Sequence, residues 1–294
     1  AVAVRAAGLA KADLATSMVV EMTALQGIMG AHYARRSGEP ADVAAAIAGQ
    51  YEAVSQTRPG MALALADRLD SLTGLFAAGL APKGSNDPFA LRRAALHLIE
   101  NLVQNETAFD LRAALAAAAA QLPLTADAAV LNEVLAFIAG RLDGVLREQG
   151  VPASVVKAVL AAQAHDPYGA VTTAAALQAA LAEPDWAELL DGYARCVRIT
   201  RSQDEAFVLR PAALALPAEQ ALHAAYETAV ARLDGSVAGF VRALRGMLPA
   251  ITAFFDQVLV MDEDTAVRQN RLALLQRIAA LPDGLADLSY LEGF

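Results

Sequence analysis

The segment ALADRLDSL, from Ala64 to Leu72, decides the fold of this chain. Asp67 and Asp70 are three positions apart and therefore share one face of a helix, whereas the leucines fall on the opposite face. A stripe of leucines behind a charged face predicts an amphipathic helix that packs against other helices.

The same pattern continues on both sides of this segment. Ala, Leu, Glu, Gln and Arg dominate, and strand-like alternation never lasts for more than a few residues. Glycine and proline separate segments of helical length, for example at Gly38–Pro40, Gly150–Pro152 and Met247–Pro249. The sequence therefore predicts an all-α fold made of several helical bundles.

Changes in composition predict the domain boundaries. A charged and amide-rich stretch near Glu106–Asp110 precedes an Ala-rich helix, and an Arg-rich run follows Glu183–Trp186. We expect three parts, covering residues 1–108, 109–185 and 186–294.

Composition excludes several classes of protein. Of the 294 residues, 56% are hydrophobic and 19% are charged, which is not the composition of a disordered chain. The formal net charge of −9 excludes a protein that coats nucleic acid by bulk positive charge, although local basic patches are compatible with it. Cys196 is the single cysteine, so no intrachain disulfide can form, and we expect a reducing, cytoplasmic location.

The apolar segments are short. No run of about 18–20 apolar residues occurs, so we expect no membrane-spanning helix and no membrane partner. The first residues do not resemble a signal peptide. They lack an initiator Met and begin as though inside a helix, so we expect the sequence to be a piece of a longer protein.

The segment around Asp67 resembles the helix that carries the last metal-binding Asp of the HD superfamily of phosphohydrolases. That site needs a preceding His-Asp pair, and the matching pair in this sequence is Ala12–Asp13. Because alanine cannot bind a metal, we expect a degenerate HD-like fold with Asp13 and Asp67 as remnants and with no metal. The alternative is that Asp67 and Asp70 are solvated or paired with Arg68.

A second candidate segment is KGSNDPFALRRAAL. Asp87 followed by Pro88 is typical of a helix start, and Arg92 and Arg93 follow on its first turns, with Lys83 in the preceding loop. A helix N-terminus with three cations can hold a phosphate. The alternative is a capped helix with solvated arginines.

The third candidate segment is FFDQVLVMDEDTAVRQNRLALLQRI, in which Asp262 is the expected N-cap. Arg268 lies four residues after Asp264 and can pair with it. Arg271 falls in the apolar stripe and needs a partner, for which Asp264 is the candidate, so we expect it to be structural. Asn270 and Arg277 share another face and are candidates for contact with RNA.

An arginine series supplies the remaining candidates. Arg195, Arg198 and Arg201 recur every third residue, which keeps them on roughly one side of a helix. Cys196 lies among them and is interpreted as a buried cysteine rather than a reactive thiolate. The histidines show no metal-binding spacing, and no catalytic motif is present, so we assign no catalytic residue.

Several segments together resemble one family. KADLATSMVVEM, LQGIMGAHYAR, ALADRLDSLTGLFAAG and PKGSNDPFALRRAAL lie in order between residues 11 and 96, and the third candidate segment lies in 254–289. They resemble the C-terminal part of the beta subunit of bacterial glycine–tRNA ligase. The middle, about 109–190, carries no matching motif.

This resemblance implies a class II aminoacyl-tRNA synthetase with two alpha and two beta subunits. The alpha subunit would use ATP and Mg²⁺ to activate glycine and charge tRNA(Gly), and the beta subunit would recognise the tRNA. Residues 1–108 would form an HD-like domain truncated at its N-terminus, 109–185 a connecting region and 186–294 a DALR-like anticodon-binding domain. The expected partners are the alpha subunit and tRNA(Gly), not DNA, and the fragment itself would be non-catalytic and without a cofactor.

The candidate tRNA-binding residues follow from the basic segments: Arg195, Arg198, Arg201, Arg268, Asn270, Arg277, Lys83, Arg92 and Arg93. Two other functions stay open at this point. One is an HD-type metal-dependent phosphohydrolase, and the other is a helical assembly module that docks the alpha subunit.

Overall fold

The fold is built entirely from helices, turns and loops. The structure, a computed structural model, describes residues 1–294 and contains no β-strand, which confirms the predicted all-α class. The fourteen α-helices, numbered α1 to α14 in chain order, are Val2–Leu9, Ser17–Glu21, Ile28–Arg36, Ala41–Gly49, Arg58–Ala77, Leu91–Gln104, Leu111–Ala119, Ala128–Glu148, Ala153–Gln163, Pro167–Leu181, Trp186–Thr200, Pro217–Val230, Val237–Gln257 and Thr265–Ala279.

Most helix ends lie where glycine and proline predict them. Gly38–Pro40 separates α3 from α4, and Gly150–Pro152 separates α8 from α9. The predicted break at Met247–Pro249 is wrong, because Pro249 lies inside α13. Pro249 is exposed, so the hydrogen bond that it cannot make is lost on the solvent side, while the opposite side of α13 stays packed.

Two compact units divide the chain. One comprises Ala1–Val145 with Ala164–Gly169, and the other comprises Leu146–Gln163 with Ala170–Phe294. The expected three parts, 1–108, 109–185 and 186–294, stay a prediction about domain function.

Helix α5 is the centre of the first unit. It packs against α1, α4, α6 and α7, and α4 also contacts α3. The leucines of the segment Ala64 to Leu72 face inward as predicted, since Leu65, Leu69 and Leu72 are 5%, 6% and 0% exposed. Burial of each such side chain stabilises the folded state by about 1.5–3 kcal/mol, and this holds α5 in place.

Helices α11 to α14 form the core of the second unit. Helix α11 packs against α13 and α14, and α12 packs against α13. The Tyr193 hydroxyl of α11 donates to the backbone oxygen of Ala279 at 2.7 Å and thereby ties α11 to the end of α14. Cys196 is fully buried, and burial raises the pKa of its thiol to about 12, as expected for a packing cysteine.

One helix, α13, is longer and more apolar than the sequence predicts. By length and composition alone, α13 could cross a membrane. Half of its most apolar stretch is buried inside the fold, where Phe240, Leu244, Met247, Ile251 and Phe254 belong to the core. A core helix accounts for this composition.

Candidate functional site

Arg195 and Arg198 of α11, together with Arg201 directly after the helix, lie beside two phenylalanine rings. The guanidinium carbon of Arg195 lies 4.4 Å from the ring centre of Phe255. The guanidinium carbons of Arg198 and Arg201 lie 5.7 Å and 5.9 Å from the ring centre of Phe294. The structure therefore gathers two of the predicted tRNA-binding residues around a single aromatic ring. We call Arg195, Arg198, Arg201, Phe255 and Phe294 the α11 surface.

This stacking leaves the α11 arginines available to a ligand. A cation above an aromatic face is attracted to the ring, and the contact orients the flat guanidinium group without using its N–H donors. Arg198 also lies 3.6 Å from the Asp191 carboxylate, but both side chains are about half exposed and the pair is weak. Arg201 is exposed, whereas Arg195 is half-buried. The side chains of Arg198 and Arg201 are thus exposed beside the Phe294 ring.

Arg271 of α14 is structural, as predicted, but its predicted partner is wrong. The guanidinium Nε donates to the Glu219 carboxylate, and Nη1 donates to Asp262 at 2.7 Å and to the backbone oxygen of Leu259 at 2.9 Å. Asp264 is instead the N-cap of α14 and accepts from the backbone N–H of Ala266 at 2.8 Å. The expected cap, Asp262, is therefore a partner of Arg271.

Asn270 serves the fold rather than an open surface. It is 6% exposed, its amide oxygen accepts from the backbone N–H of Arg210 at 2.7 Å, and its amide nitrogen donates to the Arg210 carbonyl at 3.1 Å. The prediction that Asn270 meets RNA does not agree with this position, because both polar atoms of its side chain are already engaged.

The two other arginines of α14 differ in their surroundings. Arg268 donates to the backbone oxygen of Asp262 at 2.6 Å and to the Thr265 hydroxyl at 3.2 Å, so it helps to hold the loop before α14. Arg277 lies in the last turn of α14 and is exposed. Of the candidates on α14, Arg277 has the side chain most accessible to a ligand.

The loop before α6 differs from the phosphate site that its sequence suggested. Helix α6 begins at Leu91 rather than at Pro88, and Asp87 accepts from the backbone N–H groups of Leu91 and Arg92 at 2.8 Å and 3.0 Å. A carboxylate therefore occupies the amides that a phosphate would need. Arg92 donates to the backbone oxygen of Gly84, whereas Lys83 and Arg93 are exposed.

The two HD remnants have separate structural roles. Asp13 is 2% exposed, and its Oδ2 accepts from the backbone N–H groups of Gly27 and Gly30 at 2.6 Å and 3.1 Å. Asp67 forms an ion pair with Lys11. An ammonium group and two backbone amides thus engage one oxygen of each carboxylate that would bind the metal in a working HD site, while Asp13 Oδ1 is buried without a hydrogen-bond partner.

No metal-binding cluster is present among these residues. Nowhere in residues 1–294 do three His, Cys, Asp or Glu side chains gather closely enough to hold a metal ion. Arg68, the alternative partner of Asp67, donates instead to three backbone carbonyls, those of Gln50, Glu52 and Ala64.

Sequence reasoning missed the aromatic half of the α11 surface. Phe255 stands in a segment that was quoted for its charges, and Phe294 lies 96 and 93 residues after Arg198 and Arg201, whose side chains lie near its ring. The only available indication was the pairing of an arginine series with isolated aromatic residues, and its spatial arrangement depends on how α11, α13 and the last residues pack.

Comparison with known proteins identifies the family of the chain. A family model described as glycyl-tRNA synthetase beta subunit matches residues 1–161. The glycine–tRNA ligase beta subunits of Moorella thermoacetica and Myxococcus xanthus are 41% and 40% identical, each over 98% of this chain. The chloroplastic/mitochondrial glycine–tRNA ligase 2 of Arabidopsis thaliana is 37% identical, also over 98% of this chain.

The matches also define how much of each relative is represented. The chain spans 44% of each of the two bacterial subunits and 28% of the Arabidopsis protein. The middle part of the chain, which carries no recognised motif, is included in these matches.

Proposed function

We propose, from the premise that the chain belongs to the glycyl-tRNA synthetase beta subunit family, that it is a tRNA-recognising part of such a subunit. In this proposal it binds tRNA(Gly), including the anticodon, through the α11 surface. Glycylation takes place on a partner alpha subunit that uses ATP and Mg²⁺, and this chain alone carries out no chemistry. In this proposal the chain acts in the cytoplasm.

The observation that carries the proposal is the geometry of Arg198 and Arg201. Two guanidinium groups of exposed side chains lie near the same ring, that of Phe294. Unstacked anticodon bases are recognised by stacking on aromatic and guanidinium planes and by hydrogen bonds to base edges. Phosphates are bound by the same guanidinium donors. The α11 surface offers both kinds of contact within a few ångströms.

The net charge of −9 is compatible with this function. Affinity for RNA depends on the phosphates that are contacted locally, not on the total charge of the protein. An acidic chain with a local group of arginines gains selectivity, because the rest of its surface repels RNA that does not fit.

A metal-dependent phosphohydrolase is disfavoured by specific contacts. Lys11 pairs with Asp67, Ala12 takes the place of a ligand, and Asp13 is engaged by backbone amides. Hydrolysis would require several metal ligands that converge on one ion. The other alternative is a module that only docks the alpha subunit. The arginine–phenylalanine contacts of the α11 surface do not support this alternative.

Filter binding of the purified chain to tRNA tests the proposal. We expect saturable binding to tRNA(Gly), and weaker binding to tRNA(Gly) with a substituted anticodon and to an unrelated tRNA. Raising the salt from about 50 mM to about 200 mM is expected to weaken all three complexes, because phosphate contacts depend on counterion release. The substituted anticodon is expected to cost about 1–3 kcal/mol at each changed base, by analogy with base readout in general.

Three results would count against the proposal. Equal affinity for all three RNAs at about 200 mM salt would exclude anticodon recognition. Tight binding to the alpha subunit without any affinity for tRNA(Gly) would favour the docking module. Glycylation by the purified chain without the alpha subunit would contradict the assignment of the chemistry to the partner.

A further inference from the structure

A cleft in the first unit is lined in part by Asp67 and is not explained by the α11 surface. Its volume is about 360 Å³, which is in the range of small-molecule sites. Its walls come from the turn after α4, from α5 and from the beginning of α6, and they include Gln50, Tyr51, Arg68, Phe89 and Arg93.

Two polar atoms in the wall of this cleft have no hydrogen-bond partner. Gln50 is 1% exposed, and its amide nitrogen donates to the backbone oxygen of Ile47, but its Oε1 is unpartnered. The hydroxyl of Tyr51 is also buried and unpartnered. Buried polar groups are almost always satisfied, so a neighbouring acceptor and hydroxyl without partners point to a ligand that supplies them.

The turn that carries these two residues is held rigidly. The buried guanidinium of Arg68 donates to the backbone oxygens of Gln50 at 3.2 Å and of Glu52 at 2.6 Å. Asn101 accepts from the backbone N–H of Ser55 at 2.9 Å and fixes the continuation of the same segment. Gln50 and Tyr51 are therefore already oriented, so their side chains would lose little conformational entropy when a ligand binds.

The outer part of the cleft has a different chemistry. Phe89 is 49% exposed and offers an aromatic face. Arg93 is exposed in the first turn of α6 and supplies a positive charge beside that face. Stacking on an aromatic ring beside an arginine suits a nucleobase and its phosphate.

We propose that this cleft binds a single nucleotide without a metal ion. The base edge, which presents a donor and an acceptor, meets Gln50 Oε1 and the Tyr51 hydroxyl, and the phosphate meets Arg93. No metal is needed, because the Lys11 ammonium neutralises the carboxylate of Asp67. The nucleotide is either a free mononucleotide or the unpaired end of an RNA chain. None of the α11 arginines lines the cleft, so the proposal does not depend on the α11 surface, although Arg93 is itself one of the predicted tRNA-binding residues.

Isothermal titration calorimetry in EDTA tests the proposal with three matched probes. AMP carries base and phosphate, adenosine lacks the phosphate, and ribose 5-phosphate lacks the base. We expect one molecule of AMP per chain, with adenosine about tenfold weaker and ribose 5-phosphate weaker still. Competition by the trinucleotide ApApA would identify the end of an RNA chain as an acceptable source, and its failure would identify the free mononucleotide.

Two substitutions test the contacts. Tyr51→Phe removes a hydroxyl that has no partner in the fold, so it is expected to leave the thermal stability unchanged and to weaken AMP binding about tenfold. Tyr290→Phe, at a half-exposed tyrosine of the second unit, is the matched control and is expected to change neither. Arg93→Gln is expected to weaken AMP but not adenosine.

Several outcomes would overturn the proposal. They are no saturable AMP binding up to about 10 mM, binding that appears only when a divalent metal replaces EDTA, equal affinity for AMP and ribose 5-phosphate, and unchanged AMP binding in a folded Tyr51→Phe variant.

Discussion

At the scale of the single residue, Arg271 carries a charge that is almost fully removed from water. Its side chain is 8% exposed, and that of its partner Glu219 is 2% exposed. Glu219 also accepts from the backbone N–H of Leu216 at 2.9 Å at the start of α12. One ion pair thus links α14 to the N-terminus of α12, and this link requires both the Arg271 and the Glu219 side chains.

We expect Arg271→Met to destabilise the chain by about 3–5 kcal/mol, because it leaves the Glu219 carboxylate buried without a cation. Adding Glu219→Gln removes that charge, keeps an acceptor for Leu216 and is expected to restore much of the loss. Urea unfolding of the three proteins measures the difference. A single variant as stable as the parent would show that the pair contributes nothing to the fold.

His97 gives the chain a pH dependence with a definite sign. Burial, together with the charge of Arg68, lowers the pKa of His97 below its ordinary value of 6.5. The unfolded chain therefore takes up the proton first, so this contribution to stability is complete above about pH 6.5 and is lost as the pH falls through the folded-state pKa. We expect the free energy of unfolding to be lower at pH 5.5 than at pH 7.5.

The variant His97→Gln assigns this dependence. It is expected to flatten the change between the two pH values, whereas His32→Gln, at an exposed histidine, is expected to preserve it. Urea unfolding at both pH values is the measurement. An unaltered pH dependence in His97→Gln would contradict the assignment.

At the scale of the element, helix ends follow local chemistry where a single residue decides them. Gly38–Pro40 and Gly150–Pro152 end helices because backbone geometry leaves no alternative. The start of α14 was predicted two residues too early, because Asp262, Glu263 and Asp264 are adjacent carboxylates and only the packing of α14 selects among them. Pro249 was misread because the buried face of α13 outweighs one missing hydrogen bond.

The N-cap of α14 leads to a prediction at this scale. Asp264→Ala removes the acceptor for the N–H groups of Ala266 and Val267 and is expected to cost about 1 kcal/mol. Glu263→Ala, at the neighbouring exposed carboxylate, is the control and is expected to lie within about 0.5 kcal/mol of the parent. Equal losses in urea unfolding would mean that general negative charge, rather than the cap, stabilises the helix.

At the scale of the whole molecule, the proposed tRNA binding depends on which arginines the fold leaves accessible. The sequence predicted the arginine series of α11 from spacing alone, because residues three apart on a helix share a side. It did not predict the partner of Asn270, which is the backbone of Arg210, 60 residues away. Such distant pairs depend on tertiary packing, which local pattern does not encode.

The measurement that tests the account most directly is tRNA(Gly) binding by the double variant Arg198→Gln/Arg201→Gln. We expect its affinity to fall at least tenfold and the slope of log affinity against log salt to decrease by about 1–2, because up to two phosphate contacts are lost. The charge-matched control, Arg35→Gln/Arg36→Gln at the exposed end of α3, is expected to bind like the parent. Equal affinity and slope in the two double variants would contradict the claim that the α11 surface recognises tRNA.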